Sequence, residues 1–129
     1  FREGIDVSII ASGPLVHEAL LAAHELEKEG VSVEVVNLAT IKPLDEKTLI
    51  DSMKKTGAVV TVEEHQVNGG VGGAVAELSV KKYPVPIEFV GMNDQFGVSG
   101  EPRELLKEFN MLAGDIINAS QAVIKRKNK

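Results

Sequence analysis

Residues 59–78 constrain the fold of this chain more than any other stretch. An apolar β-branched run from Val59 to Val62 breaks at Glu63-Glu64-His65, and a glycine-rich turn and a helix-like pattern follow. β-branched runs favour strands, and glycines let the backbone approach another group closely. The stretch therefore predicts a strand, a turn and a helix whose N-terminus projects beyond the carboxyl end of the strand. Open α/β sheets place ligands or partner surfaces at that edge. The turn glycines are Gly69, Gly70, Gly72 and Gly73.

The rest of the chain repeats this alternation of strand and helix. Predicted strands cover residues 7–11, 31–36, 58–62 and 87–90, and predicted helices cover residues 14–29, 46–55, 70–82, 102–109 and 114–126. Strands that alternate with helices favour a parallel sheet with helices on both faces, joined by right-handed connections. Neither a repeat nor a domain boundary is visible, so the pattern predicts a single domain over residues 1–129.

Composition restricts the class of protein. With 43% apolar and 26% charged residues in 129, the chain has the balance of one globular domain rather than of a disordered segment. Its net charge of −5 does not favour a nucleic-acid or membrane partner. The absence of cysteine excludes disulfides and thiolate chemistry. Together with the lack of a signal or membrane-spanning pattern, it leads us to expect a cytoplasmic location.

The helix after the glycine turn has apolar residues on two sides. Its predicted sheet-facing stripe comprises Val71, Ala74, Val75 and Leu78. The opposite side carries Gly73, Ala76 and Val80, which are small or apolar where a solvent-facing helix is normally charged. Two interpretations stay open: the helix is sandwiched between its own sheet and another body, or it sits deep within the domain.

Nucleotide or phosphate binding is one hypothesis for the glycine turn. Gly70-Val71-Gly72 matches the first two glycines of a dinucleotide fingerprint, but Val75 stands where the third small residue belongs. The turn also follows the third strand rather than the first, and no Lys-Ser/Thr pair follows it. Close packing of the glycines against a neighbouring segment is therefore the favoured interpretation.

Acid–base or metal chemistry is weakly supported. Glu63, Glu64 and His65 are consecutive, so their side chains do not all point into one site, and no second cluster is evidently paired with them. His17 and His24 lie seven residues apart, which is too wide for the i, i+4 pair of a zinc helix. Solvated turn residues, or polar partners across an interface, are the favoured interpretation of the three consecutive residues.

Residues 63–77 resemble the corresponding segment of the C-terminal domain of transketolases. Neighbouring segments agree in the same order: residues 10–13, 36–45, 96–101 and 104–106. The resemblance implies a three-layer α/β/α domain with a mostly parallel sheet of about five strands. One of these is an antiparallel edge strand that comes first in the chain. Only Phe1 and Arg2 are present here for that first strand.

The resemblance also implies a division of labour within a thiamine enzyme. Enzymes of this kind transfer two-carbon ketol units between sugar phosphates, typically in the pentose phosphate pathway. The preceding domains or an N-terminal subunit hold thiamine diphosphate and its magnesium across a dimer interface. The resemblance therefore implies no catalytic, cofactor-binding or metal-binding residue in this domain, which is expected to be inactive alone.

The expected role of this domain is assembly. Its expected partners are the preceding thiamine-binding domains or an N-terminal subunit, in a complete enzyme that is a homo-oligomer, a dimer. Residues expected at an interface or structural turn are Glu63, Glu64, His65, Gly69, Gly70, Gly72, Gly73 and Phe96. Two alternatives stay open. One is the corresponding domain of a deoxyxylulose-phosphate synthase or of a 2-oxo-acid dehydrogenase β subunit. The other is a stand-alone interaction or small-ligand-binding module.

Overall fold

The computed structural model describes residues 3–11, 15–37, 46–64, 71–92 and 102–128. Strands and helices alternate throughout, as predicted, and most element ends agree with the sequence pattern within two residues. The strands are β1 (Val7–Ala11), β2 (Val33–Asn37), β3 (Val59–Glu64) and β4 (Ile87–Met92). The helices are α1 (Leu15–Lys28), α2 (Glu46–Thr56), α3 (Val71–Lys82) and α4 (Pro102–Lys127).

The described strands form one parallel sheet in the order β2-β1-β3-β4. In register, Ser8 of β1 lies beside Glu34 of β2 and Val59 of β3. The predicted α/β fold with a parallel sheet is confirmed. The sheet has four strands within the described residues rather than about five. The expected antiparallel first strand would involve Phe1 and Arg2, which lie outside those residues.

Helices cover both faces of the sheet and make three layers. The larger apolar cluster lies between the sheet and the α1 and α4 layer, around Val7, Ile9, Leu26 and Ile116. The smaller cluster lies under α2 and α3 and consists of Ile10, Leu49, Met53, Val59, Val75 and Leu78. Every residue of β1 is buried, because this central strand is covered on both faces.

Strand β3 is longer than the sequence predicts. The predicted end at Val62 is wrong, because Glu63 and Glu64 continue the strand opposite Gly91 and Met92 of β4. Glutamate has low strand propensity, but hydrogen bonding to a neighbouring strand commonly outweighs that preference. The extension carries two carboxylates of the predicted turn onto the end of the sheet.

The two predicted C-terminal helices are a single helix. α4 runs from Pro102 to Lys127 without interruption, so the predicted break between residues 109 and 114 is wrong. Gly30 and Gly57, which follow α1 and α2, adopt φ angles of 85° and 70°, whereas Gly114 keeps a negative φ inside α4. A helical glycine costs about 1 kcal/mol relative to alanine. The burial of Ile116 and Val123 against the sheet offsets that cost.

A buried polar network joins α2 to the sheet. Glu34 accepts a hydrogen bond from Ser52 Oγ at 2.6 Å and pairs with Lys55 Nζ at 2.5 Å. Ser8 Oγ lies 2.6 Å from Ser52 Oγ and 2.7 Å from Thr56 Oγ1. Glu34 and Ser8 are neighbours on adjacent strands. Polar side chains from about one turn of α2 therefore contact both of them. The sequence pattern alone does not predict this network.

The segment before β1 is held against β2. Asp6 N donates to Ser32 O at 2.8 Å, and Ser32 N donates to Asp6 Oδ2 at 2.7 Å. Gly4 N donates to Glu34 Oε1 at 3.4 Å. A Cβ atom on Gly4 would overlap the backbone of Val33, so a glycine is required by the close approach. Residues 4–6 therefore lie along β2, at one edge of the described sheet.

Replacing Glu34 tests this network. Burial acts to raise the pKa of Glu34, but hydrogen bonds from Lys55 and Ser52 outweigh it, so the pKa lies below its ordinary value. A lowered folded pKa means that the stabilisation is fully present above the ordinary glutamate pKa of about 4.3 and is lost as the pH falls through the folded pKa. Chemical denaturation at pH 7 should show that Glu34→Gln lowers the free energy of unfolding by about 1–3 kcal/mol.

A matched control is Glu88→Gln, which removes the half-exposed ion pair between Glu88 and Arg126. Exposed pairs contribute about 0–1 kcal/mol, so this variant should stay close to the parent. Repeating both measurements down to pH 3 should show a shallower acid dependence for Glu34→Gln only. Equal stabilities of Glu34→Gln and the parent at pH 7 would contradict the network's role.

Candidate functional site at the carboxyl end of β3

The first turn of α3 lies directly against β3 and β4. A Cβ atom built on Gly72 would lie 2.7 Å from Glu63 Oε1, 2.9 Å from Cδ1 of Phe89 and 3.1 Å from Thr61 Oγ1. Real Cβ atoms essentially never approach another atom within 3.0 Å. A side chain at Gly72 would therefore displace the side chains of Glu63, Phe89 and Thr61 or move α3 away from the sheet.

The carboxylate of Glu63 occupies the N-terminus of α3. Glu63 Oε1 accepts a hydrogen bond from Gly72 N at 3.2 Å. The N-terminus of a helix carries partial positive charge and free N–H groups, so a carboxylate there is favourable. A phosphate group seeking the same N–H groups would meet the negative charge of Glu63. This geometry disfavours the phosphate-binding hypothesis for the turn.

Two buried oxygens beside Gly72 are unpaired within the described residues. They are Thr61 Oγ1 and Glu63 Oε2. An unpaired buried polar group costs about 1–3 kcal/mol, so such atoms mark a place where a hydrogen-bond partner is favoured. An ionised carboxylate only accepts hydrogen bonds. The space beside the start of α3 is therefore suited to donors rather than to anions.

An apolar surface continues from this point along α3 and β4. Val80 is 76% exposed and Phe89 is 58% exposed, although both are large hydrophobic residues. Gly73 is exposed and Ala76 is half-buried, and Tyr83 stands at the end of the helix. We call this surface, formed by Gly73, Ala76, Val80, Tyr83 and Phe89, the α3–β4 face.

The members of the α3–β4 face follow the geometry of a helix next to an edge strand. Gly72, Ala76 and Val80 are spaced four residues apart and so form one ridge along α3. That ridge begins at the ring of Phe89, which lies against Gly72. Contiguous exposed apolar surface on a soluble domain commonly marks a site of protein–protein contact.

The structure places four of the eight residues that the sequence singled out. Glu63 is half-buried on the α3 side of the sheet, and Glu64 is the last residue of β3. Gly72 is packed inward and Gly73 faces outward, although they are adjacent in the first turn of α3. The others, which lie outside the described residues, are His65, Gly69, Gly70 and Phe96.

Sequence reasoning missed Thr61 and Phe89. Thr61 shares a face of β3 with Glu63, because side chains alternate along a strand. Phe89 lies beside Thr61 in the register of β3 and β4. Because side chains repeat every two residues along a strand, the sequence pattern could have placed Thr61 and Glu63 on one face of β3. Phe89 could not be assigned to a surface until β4 was known to be an edge of the described sheet.

Other titratable side chains lie apart from this site. Glu18 is buried on α1, in the layer on the opposite side of the sheet, and its Oε1 has no hydrogen-bond partner among the described residues. Burial raises the pKa of Glu18, and the nearby charge of His17 partly opposes this. His17 and His24 are exposed on α1. Across the described ranges, no three His, Asp or Glu side chains come together as a metal site.

A shallow groove lies between α2 and α3. It has a volume of about 470 Å³ and is lined by Glu46, Ala74, Glu77, Leu78, Lys81 and Lys82. Glu77 and Lys81 pair with each other at 2.9 Å across one helical turn. Two acidic and two basic side chains leave the groove close to neutral, so it does not select for an anion. Among the described helices, none is both long and apolar enough to cross a bilayer.

Family comparison agrees with the fold. The family model described as the transketolase C-terminal domain matches residues 1–116. That match includes all four described strands and the whole of α3. The chain therefore belongs to the transketolase C-terminal domain family.

Two of the similar proteins are transketolases. The chain is 47% identical over 127 residues to the 6-deoxy-6-sulfo-D-fructose transketolase subunit SqwH of Clostridium sp. (strain MSTE9), covering 98% of this chain and 39% of that protein. It also matches the structure of a split gene transketolase, described as an inactive beta4 tetramer, with a TM-score of 0.86 and 46% identity. That match covers 98% of this chain and 41% of the other. The chain thus spans about two fifths of each of these two proteins.

Relatives also include other thiamine enzymes. A 1-deoxy-D-xylulose-5-phosphate synthase of Geobacillus sp. (strain WCH70) is 38% identical over 130 residues, which is 99% of this chain and 21% of that protein. A pyruvate dehydrogenase E1 component subunit beta of Staphylococcus aureus (strain Mu50) is 53% identical over 79 residues, 60% of this chain and 24% of that protein. Family membership is therefore established at the level of transketolase-like enzymes.

Adjacent glycines in the first turn of α3 should respond oppositely to the same substitution. Gly72→Ala places a methyl group against Glu63, Phe89 and Thr61, so we expect a loss of about 1–3 kcal/mol in the free energy of unfolding. Gly73→Ala meets no described atom within 4 Å and should gain about 0.5–1 kcal/mol from helix propensity. Chemical denaturation of both variants measures the difference. A stable Gly72→Ala variant would contradict the close contact between α3 and β3.

Proposed function

We propose that this chain is the C-terminal part of a transketolase-like thiamine diphosphate enzyme that transfers two-carbon ketol units between sugar phosphates. The observation that carries this proposal is the 47% identity to a transketolase subunit over 127 residues. Because the chain spans only 39% of that relative, the remaining parts of the enzyme would supply the rest of the active site. The pentose phosphate pathway and a cytoplasmic location belong to the same proposal.

In this proposal the cofactor is held elsewhere in the enzyme. Thiamine diphosphate and magnesium would bind to the preceding domains or to an N-terminal subunit. The geometry of α3 supports this, because the Glu63 carboxylate already accepts a hydrogen bond from Gly72 N in the first turn of the helix. The groove beside α3 mixes acidic and basic side chains, which does not suit a diphosphate. These two features of the described residues favour a cofactor site in another part of the enzyme.

The contribution proposed for this domain is assembly. The α3–β4 face would pack against a preceding domain or another subunit and hold the active site in its assembled form, as a homo-oligomer such as a dimer. The exposure of Val80 and Phe89 supports this role. Residues 63–68 and the segment around Phe96 would join the same contact. A similar chain forms a beta4 tetramer, which agrees with association through this subunit.

A sulfosugar is a second candidate substrate. The relative named as a 6-deoxy-6-sulfo-D-fructose transketolase subunit shares 47% of its aligned residues with this chain. We propose that the substrate contacts lie in the other domains of the enzyme. The substrate must therefore be identified with the complete enzyme. A synthase or dehydrogenase function is the alternative within the same family.

An activity measurement on the complete enzyme tests the proposed reaction. With thiamine diphosphate and magnesium, it should transfer a two-carbon unit from a ketose phosphate, or from 6-deoxy-6-sulfofructose, to an aldose phosphate. The shortened aldose and the lengthened ketose are quantified by mass spectrometry. Residues 1–129 alone should give neither product. Decarboxylation of pyruvate without ketol transfer would instead assign the synthase or dehydrogenase function.

The assembly role is tested by filling the α3–β4 face. Gly73→Leu adds a side chain where the described structure has open space, so the domain should keep its fold. If this face is buried in the enzyme, the variant should lose subunit association and ketol transfer together, by about tenfold or more for a misfit of 1–3 kcal/mol.

Gly114→Leu is the matched control, because Gly114 lies in α4 on the other side of the sheet and also has no described atom within 4 Å of an added Cβ. It should leave association and activity near the parent values. Circular dichroism would verify that both variants are folded. Normal association and activity of a folded Gly73→Leu enzyme would contradict the assembly role.

A further inference from the structure

We infer that the last turn of α4 anchors the segment through which the chain enters this domain, and so fixes the direction of that segment. We call residues 3–6 the entry segment, and Arg126 and Lys127 the α4 anchor. This role goes beyond the proposed function, because it concerns how the domain is attached to the preceding chain rather than which substrate is converted. Its test therefore uses no measurement of ketol transfer.

The ammonium group of Lys127 joins two main-chain carbonyls that are far apart in the sequence. Lys127 Nζ donates to Asp6 O at 2.7 Å and to Thr56 O at 2.9 Å. Hydrogen bonds from a charged donor are stronger than those between neutral groups. Thr56 is the last residue of α2, where the negative end of the helix dipole also favours a cation. Lys127 therefore ties the residue before β1 to the end of α2.

The side chain of Lys127 passes closely over Gly57 on its way to these carbonyls. A Cβ atom built on Gly57 would lie 3.2 Å from Lys127 Cδ, which is tighter than nine in ten real Cβ contacts. The stem of Lys127 is thus packed against the protein instead of moving freely in solvent. Packing restricts its conformations in advance, so the two hydrogen bonds have less entropy to overcome.

Arg126, in the same turn, attaches α4 to a third element. Arg126 Nη1 donates to Ile87 O at 3.0 Å and pairs with Glu88 Oε2 at 2.5 Å. Both partners belong to the first two residues of β4. The last turn of α4 is therefore held against the sheet next to the residue that binds the entry segment.

Three consecutive N–H groups of the entry segment are bonded at the start of β2. Gly4 N donates to Glu34 Oε1 at 3.4 Å. Ile5 N donates to Ser32 Oγ at 3.1 Å, and Asp6 N donates to Ser32 O at 2.8 Å. Each of these bonds is made to β2 or to the residue before it, and the α4 anchor takes part in none of them.

The entry segment is thus held by two different elements at adjacent atoms. The N–H group of Asp6 is bonded beside β2, and its carbonyl is bonded to α4 through Lys127. Short segments that share their bonds in this way open as one cooperative unit. While the unit is closed, the domain and any chain that precedes residue 3 move together, rather than about a flexible linker.

Hydrogen exchange of the complete enzyme tests this role. Lys127→Met keeps the aliphatic stem and removes the ammonium group. Exchange at the amides of Gly4, Ile5 and Asp6 should become about tenfold faster, because opening no longer breaks charge-assisted bonds. All three amides should accelerate by the same factor, although Lys127 bonds none of them directly. Mass spectrometry of overlapping peptides across residues 4–6 measures the three rates.

Two control variants accompany this measurement. Lys125→Met removes a cation from the same turn of α4, where Lys125 is exposed, and should leave the three rates unchanged. Lys127→Arg keeps a cationic donor and should restore most of the protection. Parent-like exchange at residues 4–6 in a folded Lys127→Met enzyme would overturn the inference.

Amides of β3 distinguish a local effect from a general loss of stability. Val60 and Val62 are buried in the middle of the sheet, so their exchange reports the opening of the whole domain. In Lys127→Met their rates should stay close to those of the parent. An increase there by the same factor as in the entry segment would also overturn the inference, since Lys127 would then only stabilise the fold.

The parent enzyme alone provides a test if Lys127→Met does not fold. After correction for intrinsic rates, the amides of Gly4, Ile5 and Asp6 should show equal protection, because they open together. Protection that decreases steadily from Asp6 to Gly4 would indicate a fraying segment and would overturn the inference.

Discussion

The close contact between Gly72 and β3 is the constraint on which the arrangement of this domain depends. It lets α3 pack directly against β3, with Glu63 accepting a hydrogen bond from Gly72 N in the first turn of the helix. Once that contact is fixed, the helical repeat directs Val75 and Leu78 into the core. The same repeat leaves Gly73 and Val80 facing outward. The absence of a side chain at Gly72 thus determines which surface of α3 is available for other molecules.

The two sides of the sheet are stabilised differently. The α1 and α4 side relies on an extensive apolar cluster, which includes Leu26 and Ile116. The α2 and α3 side has a smaller apolar cluster and adds the polar network around Glu34. Because the α2 and α3 layer depends less on apolar packing against the sheet, α3 can carry apolar residues on its outer surface. This is consistent with assembly through α3 and not through α1, whose outer surface carries His17, His24 and Lys28.

Much of the fold could be predicted from the sequence because its signals are local. The buried run of β1 and the glycines that end α1 and α2 are recognisable without any tertiary information. The continuity of α4 was not predictable, because Gly114 ends a helix or continues one according to what lies around it. The length of β3 was missed for a similar reason, since Glu63 and Glu64 extend the strand only because β4 is alongside.

The candidate site was predictable only in part. The glycine pattern identified where α3 begins, but Gly72 and Gly73 have opposite roles, and only the packed structure distinguishes them. The Glu34 network was missed because Ser8, Glu34 and Ser52 are far apart in sequence and meet only when α2 lies over the sheet. Phe89 was read as a strand residue, and its exposure follows from the position of β4 at the sheet edge.

The central claim is that the α3–β4 face is an assembly surface. An experimental structure of the complete enzyme tests it most directly, through the solvent exposure of Val80 and Phe89, which is 76% and 58% here. The account predicts that both side chains become largely buried against protein, with Gly73 in contact with the neighbouring body. An assembled enzyme in which both side chains still face solvent would contradict it.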